Sequence, residues 1–166
     1  MATIFPGRYT AQSDQPFVVF LIGVRVNRFL KFGKWAPVVK AMPAMIEELK
    51  RHPELGFIHT ETALYWRGVI TIQYWRSFEQ LHAYAHMRDG LHLPAWAEFN
   101  RRIGANDAVG IWHETYVVQP GQYEAIHVNM PRFGLLQAFQ NEPVKGRLDS
   151  AIGRMAKQGT GSLPNT

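Results

Sequence analysis

The groups available for proton transfer and metal binding are 7 His and 13 Asp+Glu, and the chain contains no Cys. Thiolate catalysis, disulfides and cysteine-ligated zinc or iron–sulfur centres are therefore excluded. His113 lies in the apolar run Val109 to Val118, where successive side chains point to opposite sides of a strand. It shares one side with Ile111 and Thr115, while Trp112, Glu114 and Tyr116 share the other. His113 and Glu114 thus cannot form a dyad, yet His113 can serve a cavity as general base or substrate hydrogen-bonder. The competing reading is a satisfied polar residue that fixes register at an interface.

His59 and Glu61 share a strand face and offer two metal ligands; no third is placed by the sequence, and a polar outer face is the simpler reading. His82 and His86 stand one helical turn apart, a chelating spacing that lacks the glutamate of a zincin-type motif and reads as a wet helix face. His92 recurs with Trp96, Phe99 and Ile103 at helical offsets, so its imidazole meets apolar surroundings either as a ligand or as a core or cap histidine bonded to backbone. Arg25 and Asn27 continue the alternating face of Gly23, whose missing side chain lets a molecule approach the backbone. Asn27 at such a cavity mouth is a donor to an oxygen ligand or a substrate carbonyl; the alternative is an Asn capping the next turn. Gly7, Gly23 and Gly33 have no nucleotide-binding spacing, which disfavours a dinucleotide-fold flavin or nicotinamide enzyme.

The elements that must position these residues follow from hydrophobic period. Residues 1–16 carry Pro6, Gly7, Ser13, Asp14 and Pro16 and read as an N-terminal arm. Phe17 to Val26 reads as a strand buried on both faces. Trp35, Val38, Val39, Met42, Met45, Ile46 and Leu49 fit a helix that Pro43 interrupts and Pro53 ends. Leu55 to Leu64 and Val69 to Trp75 form a hairpin about Tyr65-Trp66-Arg67-Gly68. Ser77 and Gln80 make a capping box for a helix with Phe78, Leu81 and Ala85 inward, and a short helix holding His92 to Ile103 follows Asp89-Gly90. Val109 to Val118 and Tyr123 to Met130 are the last strands, and residues 131–166 read as a C-terminal extension with a weak helix over Lys145 to Lys157.

The order β-α-β-β-α-β over 17–130 predicts an α+β, ferredoxin-like unit with helices on one face of an antiparallel sheet. Apolar side chains on both faces of the Phe17 and Val109 strands call for a second subunit over the other face, so a homodimer is expected. The chain carries +5 net charge with no basic run, which does not suggest nucleic-acid binding. Its longest wholly apolar run, Phe17 to Val24, is too short to span a bilayer. A cytoplasmic protein is expected. An aromatic share of 13% points to a cavity or interface lined with rings.

The motif Ile72-Gln73-Tyr74-Trp75-Arg76-Ser77-Phe78 leading into Ala83-Tyr84-Ala85-His86, then His92-Leu93-Pro94-Ala95-Trp96, resembles the dimeric α/β-barrel superfamily. That group includes antibiotic-biosynthesis and haem-degrading monooxygenases, chlorite dismutases and aldoxime dehydratases. Gly110-Ile111-Trp112-His113-Glu114-Thr115-Tyr116 and Asn129-Met130-Pro131 further resemble a bacterial monooxygenase-like family, the similarity running from about Gly7 to about Pro143. The resemblance implies oxygen-dependent monooxygenation of a hydrophobic or aromatic substrate, with haem or without a cofactor. In a haem version His92 binds the iron, while Asn27 and Tyr84 shape the oxygen side, Tyr84 standing where the haem degraders have Trp. A cofactor-free version makes His113 the base. In both, Trp96, Phe99, Trp112 and Tyr116 line the substrate pocket. The alternatives are a haem-dependent lyase of the aldoxime-dehydratase sort and a ligand-binding barrel without chemistry.

Overall fold

The strand and helix periods resolve, in a computed structural model that describes residues 2–87, 97 and 107–158, into β1 (Phe5–Gln12), β2 (Phe17–Val26), α1 (Phe32–Arg51), β3 (Phe57–Tyr65), β4 (Gly68–Trp75), α2 (Phe78–Ala85), β5 (Val109–Val118), β6 (His127–Met130), α3 (Leu135–Ala138), β7 (Gln140–Pro143) and α4 (Ala151–Gln158). The chain divides into two compact units, Val18–Tyr116 and the pair Met1–Phe17 with Val117–Thr166. Among the described residues no helix is long and apolar enough to cross a membrane.

The unit Val18–Tyr116 contains a four-stranded sheet in the order β3-β4-β2-β5, with β4 antiparallel to both β2 and β3. That order, threaded as β2-α1-β3-β4-α2-β5, is the ferredoxin-like arrangement the sequence predicts. Its α+β character follows from strands of alternating burial joined by amphipathic helices. Val18, Leu49, Phe57, Trp75, Leu81 and Tyr84 form one core cluster, and Val24, Ala108 and Val109 form another against Trp35, Val38 and Val39. Both clusters lie on the face that α1 and α2 cover. The opposite face carries Val19, Leu21, Ile70 and Ile72, which alternate with the core residues along β2 and β4.

Three local expectations change. The helix α1 runs unbroken through Pro37 and Pro43. Pro43 is exposed, so water can serve the carbonyl that loses its donor. Ser77 Oγ accepts from the Gln80 backbone N–H at 3.2 Å, but the Gln80 side chain donates to the Glu54 carbonyl at 3.3 Å, leaving the box half formed. The buried residues of α2 are Leu81 and Tyr84, with Phe78 exposed.

The second unit is built around a sheet in the order β6-β1-β7. Residues 5–12, within the stretch read as an arm, are its central strand, pairing Tyr9 with His127 on one side and with Pro143 on the other. Pro6 and Gly7 hide the strand in the sequence, because Gly7 has a φ of 95° and the register shifts between Phe5 and Arg8. The expected strand Tyr123 to Met130 is shortened to β6, and its partner is β1. Ala11, Ala125 and Leu136 form the core of this unit, and the ring of Phe17 stands 5.0 Å from Tyr123 and 4.6 Å from Phe139. Arg154, buried, donates to Glu124 at 2.7 Å and to the Leu148 carbonyl at 2.8 Å, tying α4 to the loop before β6.

Candidate functional site

Strand parity decides which candidate side chains meet. His113 is on the helix-covered face of the four-stranded sheet, its ring 5.6 Å from Phe20, which packs on the core cluster. The imidazole is exposed, and among the described residues nothing hydrogen-bonds to either ring nitrogen. His59, the other histidine of this sheet, is engaged by Glu61 at 2.8 Å and stacks on Tyr74 on the opposite face. Burial raises the pKa of the Tyr74 hydroxyl, and the Glu61 charge raises it further.

Tyr84 is placed in the core rather than at a cavity. It is 4% exposed, packs 5.7 Å from the Trp75 ring and donates its hydroxyl to Glu48 at 2.8 Å. Burial first, then the carboxylate it serves, pushes its pKa far upward, so it stays protonated. Beside it runs a polar chain that the sequence reading overlooks. Thr71 (1% exposed) and Gln73 (4%) lie on the same face as Trp75; Gln73 Nε2 donates to Thr71 Oγ1 at 3.3 Å, and Trp75 Nε1 donates to Gln73 Oε1 at 3.0 Å. The available signal is their parity: two polar residues alternate inward with a Trp in an otherwise apolar strand.

Asn27, Trp112 and Tyr116 belong to the opposite face. A Cβ on Gly23 would lie 2.5 Å from the Trp112 indole nitrogen, so the glycine makes the seat in which that ring rests. Tyr65 stands 6.4 Å from the same ring. Tyr116 donates to Glu114, which raises the tyrosine pKa. Asn27 Oδ1 accepts from Arg25 Nη1, and its Nδ2 lies 3.8 Å from where a Cβ on Gly110 would sit. Arg25 also stacks on Trp66 at 4.2 Å. Trp66 holds φ at 54°, a left-handed conformation that costs a bulky residue about 1–2 kcal/mol, in the two-residue turn between β3 and β4.

The sheet thus separates Asn27, Trp112 and Tyr116 from His113, and Tyr84 joins neither group. His92, Trp96 and Phe99 lie outside the described residues. Among the described residues no three metal-ligating side chains cluster, and His113, exposed beside a single ring, has no enclosing apolar walls. His82 and His86 have rings 4.2 Å apart, with His86 Nδ1 2.8 Å from the His82 carbonyl, on the wet face of α2. A haem takes a single axial protein ligand, and His92, the one expected, lies outside the described residues.

The model of the family described as monooxygenase af470-like matches residues 17–135, which include β2 through β6. The chain belongs to that family. The monooxygenase af470 of Aspergillus fumigatus is 30% identical over 154 residues, covering 78% of this chain and 53% of that protein. This member of the family therefore spans about half the length of that relative. An aldoxime dehydratase crystallised with butyraldoxime is similar in fold, with a TM-score of 0.65, 15% identity, and coverage of 81% of this chain and 41% of that one. A cofactor-independent oxygenase, SnoaB of Streptomyces nogalater, matches at a TM-score of 0.45 and 12% identity over 62% of this chain and 93% of that one.

Proposed function

We propose that this chain is a monooxygenase for a small, hydrophobic, electron-rich aromatic molecule, that it works without a cofactor, and that His113 takes the substrate proton. The observation that carries the reading is the unengaged imidazole of His113 beside Phe20 on the helix-covered face, in a chain of a monooxygenase family. An imidazole nitrogen can take a proton and give it back within one turnover, as a general base needs. The substrate would lie against Phe20 as the keto tautomer of a hydroxylated aromatic, with its acidic ring methylene toward the imidazole. Proton transfer to His113 leaves a carbanion that gives one electron to dioxygen, and the two radicals join as a substrate peroxide. The O–O bond then breaks with loss of the second hydrogen on that carbon. One oxygen stays as a carbonyl and the other leaves as water, so no external reductant is required. Asn27, across the sheet, has no part in this step.

The reading includes a second copy of the chain over the face bearing Val19, Leu21, Ile70 and Ile72, apolar side chains that this unit does not cover with a helix. The test is oxygen uptake with a panel of hydroxylated polycyclic aromatics. His113→Gln is expected to lower the rate about 10²–10⁴-fold, the range for losing a general base, with an unchanged circular dichroism spectrum. Uptake equal to that of the unsubstituted chain removes His113 from the mechanism.

A further inference from the structure

We propose that the end of the four-stranded sheet where β2, β5 and the β3–β4 turn converge is a carboxylate-binding site, built on Arg25 and Arg67, and that its ligand is an aromatic carboxylic acid. Arg25 spends Nη1 on Asn27 Oδ1, and its planar face rests on Trp66. Among the described residues its buried Nε has no acceptor. The edge formed by Nε and Nη2 is therefore the unused side of a guanidinium, with the two parallel donors that match the two oxygens of a carboxylate. Arg67 is anchored from the other side of the same residue: Nη2 donates to the Asn27 carbonyl at 3.2 Å, and the guanidinium lies 4.8 Å over the Phe29 ring.

Charge supports the assignment. Among the described residues no carboxylate pairs with Arg25 or Arg67. Asp107 is already held by Arg28 and by Lys31 at 3.7 Å, and these partners keep its pKa below the usual carboxylate range. Among the described residues, four cations thus share one anion at this end of the sheet. An incoming carboxylate would complete the unused edge of Arg25 and place negative charge beside Arg67. The class of acid follows from the rings. Trp66 and Phe29 already stack on the two guanidinium planes, and a flat aromatic body extends those stacks. Trp66 is 75% exposed, so its ring can shift to admit the ligand with little loss of packing. Its left-handed backbone, where a glycine would be free of strain, is explained by the need for an indole over Arg25. The site does not depend on His113, which lies on the other face.

The experiment is a calorimetric titration of the full chain with naphthalene-2-carboxylate, its uncharged carboxamide, and inorganic phosphate. Saturable binding of the carboxylate, weakened tenfold or more in Arg25→Gln and in Arg67→Gln, is the expected result. Arg25→Lys, which keeps the charge without the fork, should weaken it as well and carries the test if Arg25→Gln fails to fold. Arg51→Gln, on α1 beside Glu47, should leave it unchanged. Equal binding of the carboxamide would show stacking alone, and phosphate binding as tightly would show a general anion patch. Either result overturns the proposal, as does a wild-type chain that does not saturate. His113→Gln should retain the carboxylate, so failure of the oxygenase reading and failure of this site are read separately.

Discussion

At Tyr84 the resemblance and the geometry point in different directions, and a single hydroxyl tells them apart. If Tyr84 serves the core through Glu48, Tyr84→Phe removes one hydrogen bond to a carboxylate and should cost about 1–3 kcal/mol of stability. Oxygen uptake per folded molecule should not change, and chemical denaturation alongside a rate measurement checks both. His127 gives a pH-dependent expectation. Burial lowers its pKa from the ordinary 6.5, and among the described residues Nδ1 has no partner. The unfolded chain therefore takes up a proton at higher pH than the folded one does. Its share of stability is complete above about pH 7 and falls as the pH drops through 6.5 toward the lower folded value. Thermal melts from pH 8 to pH 5 should show a smaller acid-side decline in His127→Gln than in wild type, and parallel profiles would refute the effect.

Among the elements, the β3–β4 hairpin carries the tightest packing. A Cβ on Gly68 would fall 1.7 Å from the Val24 carbonyl oxygen, a backbone atom of the neighbouring strand that cannot swing aside. Gly68→Ala should therefore cost about 3 kcal/mol, the upper part of the range for overpacking. Gly33→Ala, in α1 with open space around it, should instead gain about 0.5–1 kcal/mol from helix propensity. Denaturation midpoints moving in opposite directions would confirm the contrast. The hairpin was legible because its strands alternate and its turn is short. The strand β1 was not, because both its partners lie in the C-terminal part of the chain, and its own residues include Pro6 and Gly7. The faces of the site were half legible. Parity within β2 and within β5 was readable from each run, but whether Asn27 and His113 share a side depends on cross-strand register, which no local pattern encodes.

For the whole molecule, the apolar face of the four-stranded sheet sets the expected assembly. Sedimentation at micromolar concentration should give a species of twice 19.0 kDa, and a stable, non-aggregating monomer would refute the second copy. The separation of β1 from its partners has a further consequence for biogenesis. The Gly7 amide is bonded to Asn129, 122 positions downstream. On the ribosome the ferredoxin-like sheet has all its strands soon after Val118 emerges, while β1 stays unpaired until β6 and β7 appear. Vectorial synthesis thus imposes an order in which the β6-β1-β7 sheet closes last. The interval before closure is when β1 is open to chaperones or to wrong partners on neighbouring nascent chains.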